Sequence, residues 1–94
     1  MEKLTVFDPV DFLGTDEDMA FYLEAAANDD DPKAFLRALR TAAKAKGMAD
    51  LAAKAGMPRE SLYRALSDNG NPSYLTLRKI ASAFGMRFSF APAM

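Results

Sequence analysis

The sequence predicts an all-α domain of five helices, with short extended segments at both ends and a helix-turn-helix near the middle. Apolar residues recur at helical spacing, and residues typical of helix starts and stops bracket each run. Two runs that are too short to persist alone flank Gly56. With 94 residues, half of them apolar, the chain can build one modest core, so we expect a single compact domain.

The predicted helices follow from local start and stop signals. Thr15, Asp31 and Ser73 are expected to act as N-caps. The helices are expected over about 16–28, Pro32–Lys46, Met48–Ala55, Arg59–Ser67 and Tyr74–Phe84. The β-prone run Leu4–Phe7 and the alternating apolar and polar residues of Met86–Phe90 predict short extended or β segments at the two ends.

The composition argues against an enzyme. The chain has no cysteine and no histidine, which removes thiolate metal sites and the commonest general base. The consecutive acids Asp16–Asp18 and Asp29–Asp31 do not converge on one point and are better explained as caps and solvated charge. We therefore expect no catalytic residue, no metal site and no cofactor. No apolar run is long enough to span a bilayer, so we expect a cytoplasmic protein without membrane contact.

Charge is divided along the chain, although the net charge is only −1. Residues 1–31 hold one basic and ten acidic side chains, whereas residues 32–94 hold eleven basic and three acidic ones. This asymmetry suits a cation-rich partner for the first segment and a polyanion for the second. The alternative is that the two segments simply attract each other. We accordingly divide the domain into an acidic N-terminal arm and helix (1–31) and a helix-turn-helix region with a C-terminal strand (32–94).

The spacing around Gly56 is the most specific signal in the chain. Glycine can take the φ > 0 conformation that a sharp turn between helices requires, and Ala52 is small where the two helices come closest. The apolar residues fall where two short crossing helices must touch, at Leu51, Ala52, Ala55, Met57, Leu62, Ala65 and Leu66. The polar residues of the second helix then project away from this seam.

A helix of this diameter fits the DNA major groove, where arginine can contact guanine bidentately. Arg59 and Arg64 are the leading candidates for base contacts. The candidate base-reading residues are Arg59, Glu60, Ser61, Tyr63, Arg64 and Ser67. The candidate phosphate contacts are Lys44, Lys46, Lys54, Asn69, Asn71, Ser73, Arg78 and Lys79. As alternatives, each lysine could be an ordinary solvated residue, and Tyr63 could pack its ring against the domain.

These residues resemble a known family, the HigA-like antitoxins of bacterial addiction modules, which have a Cro/C1-type helix-turn-helix and accompany RelE/ParE-type toxins. The resemblance rests on Leu51-Ala52, Ala55-Gly56, the run Arg59–Ser67, Gly70-Asn71-Pro72 and Thr76-Leu77. It extends to Phe7-Asp8, Phe12-Leu13, Tyr22-Leu23 and Asp31-Pro32 near the start. Pro58 departs from the pattern, because such proteins often have a capping Ser or Thr there.

The resemblance implies two activities. It implies that the protein neutralises a small basic toxin by tight binding, and that it represses its own operon by binding an operator as a dimer or as the toxin complex. The divided charge agrees with this, because the acidic segment suits a basic toxin and the basic segment suits operator DNA. A stand-alone helix-turn-helix repressor without a toxin is the alternative.

The first predicted helix offers a candidate toxin-binding face. Its apolar residues Met19, Tyr22, Leu23 and Ala26 share one side, and Phe21 lies opposite. An aromatic anchor ringed by acids suits a basic surface, so the candidate residues are Glu17, Asp18, Phe21 and Glu24. The alternative is that Phe21 packs under residues Leu4–Leu13 of the same chain.

We also expect a homodimer, because one short helix reads few base pairs and such modules usually bind paired half-sites. The candidate interface is Met86, Phe88 and Phe90, through strand pairing or through packing beside the last helix. These residues could equally close the core of their own protomer.

Overall fold

The computed structural model describes residues 14–93, and over these residues the protein is all-helical. Its helices, α1 to α5 in chain order, are Asp16–Ala27, Ala34–Lys46, Met48–Ala55, Arg59–Ala65 and Tyr74–Ala83. Helix α1 packs on α2, while α3 contacts α2, α4 and α5 and so lies at the centre. None of the helices in this range is long and apolar enough to cross a membrane. The extended segment predicted at Leu4–Phe7 lies outside the described residues.

Two of the predicted N-caps have the expected geometry. The Thr15 Oγ1 accepts a hydrogen bond from the N–H of Asp18 at 3.0 Å, and the Ser73 Oγ accepts one from the N–H of Thr76 at 3.1 Å. Each bond satisfies a backbone donor that the first turn of a helix leaves without a partner. The starts of α1 and α5 are therefore determined locally.

Helix α2 begins two residues later than predicted. The carboxylate of Asp31 accepts a hydrogen bond from the N–H of Lys33 at 2.9 Å, and its backbone carbonyl accepts one from the N–H of Ala34 at 2.9 Å. These bonds make a turn that includes Pro32, so the first helical residue is Ala34. The difference arises because a short acidic side chain can bond the backbone donors of a turn as well as those of a helix.

Gly56 makes the turn between α3 and α4. Its backbone is left-handed, with φ 69° and ψ 36°, which confirms the predicted positive φ. The N–H of Gly56 donates to the carbonyl of Ala53 and that of Met57 donates to Ala52, both at 3.1 Å. This pair of bonds satisfies the last carbonyls of α3. Met57 then packs against the core, and α4 begins at Arg59.

The loop after α4 folds back on the end of that helix at Gly70. A Cβ added at Gly70 would overlap the carbonyl oxygen of Ala65, so the position has no room for any side chain. The N–H of Gly70 donates to the carbonyl of Ser67 at 2.9 Å and holds the loop in place. The residues that follow are thus kept beside the end of α4.

A cluster of buried residues joins all five helices. Leu62 and Leu66, from α4 and its end, and Ile80 of α5 are completely buried, and α1 contributes Met19 and Leu23. Full burial of one such side chain stabilises the fold by about 1.5–3 kcal/mol. Since a seven-residue helix does not persist alone, α4 depends on this packing.

The predicted C-terminal strand at Met86–Phe90 is wrong for the described protomer, because this segment has no regular secondary structure. Met86 packs against the core, and the ring of Phe88 lies 6.4 Å from that of Phe35 and 6.2 Å from that of Tyr74. A strand needs a second extended segment to bond its backbone, and no strand occurs between residues 14 and 93. The alternation of apolar and polar residues in Met86–Phe90 therefore reflects side-chain contacts, such as those of Met86 and Phe88, and not a β-strand.

We expect Gly70→Ala to lower the free energy of unfolding by about 2 kcal/mol or more, since the new Cβ would displace the backbone at Ala65. Gly56→Ala has free space around it but a left-handed backbone, so we expect a loss of about 1–2 kcal/mol. Gly14→Ala has neither constraint and is the control. Urea unfolding measures all three variants, and equal stability of the Gly70 and Gly14 variants would contradict the close approach.

Candidate nucleic-acid interface

Helix α4 presents its polar side chains to solvent. Arg59, Glu60, Tyr63 and Arg64 are exposed and Ser61 is half-buried, in contrast to the buried apolar side of the same helix. The helix is therefore anchored on one side and accessible on the other. A short helix with two outward arginines has the size and the donors needed to enter a DNA major groove.

Arg59 and Tyr63 lie one helical turn apart and interact. The Arg59 Cζ is 5.6 Å from the centroid of the Tyr63 ring, which is within the range of a cation–π contact. Tyr63 remains 44% exposed, so its ring covers the flank of Arg59 and does not fill the core. The contact restrains Arg59 while the edge of its guanidinium stays accessible to hydrogen-bond acceptors.

The hydroxyl groups of two predicted contact residues are engaged within the protein. The Ser67 Oγ donates to the carbonyl of Arg64 at 2.8 Å. The Ser73 Oγ, besides capping α5, donates to the Thr76 Oγ1 at 3.1 Å. In this conformation both hydroxyl protons are already donated within the protein. Each serine can therefore accept a hydrogen bond from a nucleic acid but cannot donate one.

Four of the predicted phosphate contacts lie on the loop after α4 and on α5. Asn69 and Asn71 are exposed on the loop that Gly70 holds beside α4. Arg78 and Lys79 are exposed on α5, and the Arg78 Cζ lies 5.9 Å from the centroid of the Tyr74 ring. The loop thus adds polar groups beside the end of α4, and α5 adds two exposed basic groups to the surface.

The other three of the four predicted lysine contacts lie on α2 and α3 and differ in their surroundings. Lys44 is exposed on α2, and Lys54 is exposed in the last turn of α3, directly before the Gly56 turn. Lys46 forms an ion pair with Asp16 of α1, with 3.5 Å between Nζ and Oδ1. Lys46 is therefore oriented toward the acidic helix, whereas Lys54 lies closest in the chain to α4.

Arg40 of α2 contacts the end of α4, although the sequence pattern did not single it out. Its Nη1 donates to the carbonyl of Leu66 at 3.1 Å, and its Nη2 donates to the Asp68 Oδ1 at 2.9 Å. The Lys33 Nζ donates to the carbonyl of Asp68 at 3.2 Å. A sequence signal for these contacts did exist, since helical spacing places four basic residues of this region on one side, namely Lys33, Arg37, Arg40 and Lys44.

The predicted toxin-binding face of α1 is accessible in this structure. Phe21 is 71% exposed, Glu17 and Glu24 are exposed, and Asp18 is half-buried. At about 100° per residue, Glu17 and Glu24 lie within about 60° of Phe21 around the helix axis. The segment Leu4–Leu13, the alternative cover for Phe21, lies outside the described residues.

Two ion pairs join the acidic and basic segments between residues 14 and 93. Asp31 pairs with Arg37 at 2.7 Å, and Asp16 pairs with Lys46 at 3.5 Å. The hydrogen bond from Arg37, followed by that from the N–H of Lys33, holds the pKa of Asp31 below its ordinary value of 3.8. No other acid in the range 14–31 pairs with a described basic residue. Among the described residues, direct ion pairs between the two segments therefore involve only two of the seven acids of the range 14–31.

Four large apolar side chains of the C-terminal tail and the start of α5 are exposed, and we call them together the tail patch: Tyr74, Leu75, Phe88 and Phe90. Leu75 is 67% exposed and Phe90 is fully exposed. Of the predicted dimer contacts, Met86 packs on the core of its own protomer, while Phe88 and Phe90 belong to the patch. Tyr74 and Leu75 were missed, because helical spacing alone did not show which side of α5 stays uncovered.

Two comparisons relate the chain to known proteins. The family model described as "Probable addiction module antidote protein" matches residues 3–92, which include all five helices. An uncharacterized protein of Haemophilus influenzae is 37% identical over 87 residues, an alignment that covers 93% of this chain and 90% of that protein. No solved structure matches the chain.

Proposed function

Since this chain belongs to the family of probable addiction module antidote proteins, we propose that it is the HigA-like antitoxin of a type II toxin-antitoxin module. It binds and neutralises a small basic toxin of the RelE/ParE type in the cytoplasm, and it represses its own operon. Both activities are binding, and neither requires catalysis. The observation that carries the proposal is the outward polar face of α4, anchored in the core and separate from the exposed acidic face of α1.

Operator binding is assigned to α3, the Gly56 turn and α4, acting as a Cro/C1-type helix-turn-helix. Arg59 and Arg64 read base edges in the major groove, where a guanidinium matches two acceptors of guanine. Lys54, Arg78 and the other predicted phosphate contacts set the register on the duplex. The burial of Leu62 supports this assignment, because it prevents α4 from rotating its polar face inward.

The protein acts on DNA as a homodimer, since one seven-residue helix spans too few base pairs for specific binding. The tail patch is the proposed dimer surface. Exposed aromatic and aliphatic side chains of this kind favour association, because a second copy would remove them from water. Within the patch, the ring of Phe88 contacts that of Tyr74 and also that of Phe35 of α2.

Toxin binding is assigned to α1, where Phe21 is the anchor and Glu17, Asp18 and Glu24 supply complementary charge. A large exposed aromatic residue among acids is well suited to a basic protein surface, with the ring contributing affinity and the charges contributing rate and specificity. The family membership favours this reading over a stand-alone repressor. Co-purification with the product of an adjacent reading frame distinguishes the two.

Replacing Arg64 with alanine should weaken operator binding by about 1–3 kcal/mol and relax the preference for the operator over random DNA. Lys54→Ala should instead weaken binding to both duplexes alike and lower the slope of log K against log salt by about one. Fluorescence anisotropy with a duplex from the region upstream of the gene measures both effects. Salt-independent binding, or unchanged preference in the Arg64 variant, would contradict the proposal.

Replacing Phe21 with glutamate should lower toxin affinity by about 2 kcal/mol or more, because the anchor is lost and replaced by charge. Ala49→Glu adds the same charge to an exposed helical position outside α1, in the first turn of α3, and is the matched control. Calorimetry with the basic protein of the adjacent reading frame gives the affinities, and circular dichroism checks the fold. Equal affinity of the two folded variants would end the assignment of this face.

Replacing Phe90 with glutamate should convert the dimer to a monomer, because a charge would then be buried against a second copy. Phe90 makes a cleaner test than deletion of residues 86–94, since that deletion would also remove Met86 from the core. Ala91→Glu, at the next exposed position of the tail, is the control. Sedimentation velocity reports the mass, and a Phe90 variant that stays dimeric would exclude the tail patch.

A further inference from the structure

We propose that Arg40 is a positioning residue for operator recognition, which sets the orientation of α4 and of the loop after it from the neighbouring helix α2. This inference rests on the proposed function of α4 as the base-reading helix. Arg40 itself lies outside that helix and is assigned no contact with DNA. It acts through the carbonyl of Leu66 and the carboxylate of Asp68, to which it donates hydrogen bonds.

The guanidinium of Arg40 donates hydrogen bonds both to the end of α4 and to the loop that follows it. One nitrogen donates to the carbonyl of Leu66, which belongs to the set of carbonyls that the end of a helix leaves without an intrahelical partner. The other donates to the carboxylate of Asp68, the third residue after the helix. A cation at the carboxyl end of a helix is favourable, and the planar guanidinium fixes the geometry of both acceptors at once.

The surroundings of Arg40 differ from those of its carboxylate partner, because the Asp68 side chain is 80% exposed and the Arg40 guanidinium lies partly covered against the end of α4. The Arg40 side chain is only 29% exposed, so solvent screens it less than a fully exposed charge. Lys33 holds the same loop through the backbone carbonyl of Asp68. Because Gly70 has no side chain, the chain can approach the end of α4 closely. The positions of Asn69 and Asn71 therefore depend on the bonds of Arg40 and Lys33 to Asp68.

For operator recognition, the contacts of Arg40 matter because they restrain the direction in which the Arg64 side chain points. Arg64 is in the last turn of α4, two residues before the carbonyl that Arg40 holds. The core anchors the buried side of the helix through Leu62, whereas Arg40 restrains its carboxyl end. Loss of that restraint lets the end of α4 shift, and bidentate base contacts tolerate such a shift less than phosphate contacts do.

The experiment compares Arg40→Met, Asp68→Asn and the double variant with a matched control pair. Arg37 lies one turn before Arg40 on the same helix and pairs with Asp31 at 2.7 Å, so Arg37→Met and Asp31→Asn remove an ion pair of the same type that bonds neither α4 nor the loop after it. Binding is measured with operator and random duplexes over a range of salt concentrations. Urea unfolding and circular dichroism establish that each variant is folded at the temperature of the binding measurements.

We expect Arg40→Met to lose about tenfold in operator affinity and to retain random-duplex affinity within about twofold, with an unchanged salt slope. Asp68→Asn should shift the preference in the same direction, and the double variant should lose less than the product of the two single losses. The control variants should keep the wild-type preference. If Arg40→Met does not fold, Arg40→Lys, which keeps the charge without the fork of donors, takes its place with the same expected direction.

Three outcomes would overturn the inference. An unchanged operator preference in the folded Arg40 variants shows that Arg40 does not position α4. An equal loss on both duplexes together with a lower salt slope shows that Arg40 contacts phosphate directly. A wild-type protein that does not distinguish the two duplexes overturns the proposed function as well, so the two failures are separable.

Discussion

The burial of Leu62 and Leu66 in the core cluster is the interaction on which the proposed DNA surface depends. Helix α4 has seven residues, too few to persist without packing, and these two leucines attach it to the cluster that contains Ile80. Once they are buried, Arg64 lies on the opposite side of the helix, about 160–200° around its axis, while Arg59 is exposed in the first turn. The outward direction of Arg64 is therefore a consequence of hydrophobic packing.

Electrostatics organises the surface without holding the fold together. The pairs Asp31–Arg37 and Asp16–Lys46 are largely exposed, so solvent and salt screen them and they add little stability. They are nevertheless the points at which the acidic and the basic segments meet. Most acids on α1 remain outside such pairs with described residues and are accessible to a partner protein. One small domain can thereby present two surfaces of opposite charge.

Helix α2 connects these two surfaces. Its end pairs with α1 through Lys46, its middle reaches the end of α4 through Arg40, and its small residues Ala42 and Ala43 are buried in the core. A partner bound on α1 is thus separated from the proposed base-reading helix by a single element. The contact of Arg40 is more specific than the others, because it bonds a helix carbonyl and a loop carboxylate at the same time.

The sequence by itself determined the features whose causes are local. The caps Thr15 and Ser73 and the turn at Gly56 depend on residues within five positions, and the division of charge is a property of the chain alone. The strand predicted at Met86–Phe90 failed because alternation identifies apolar side chains but not the surface they meet. Only the tertiary structure decided that Phe88 contacts Phe35, that Leu75 stays exposed, and that Arg40 reaches Leu66 across 26 residues of chain. Such contacts depend on how whole helices pack against one another, and spacing within one segment carries no information about that arrangement.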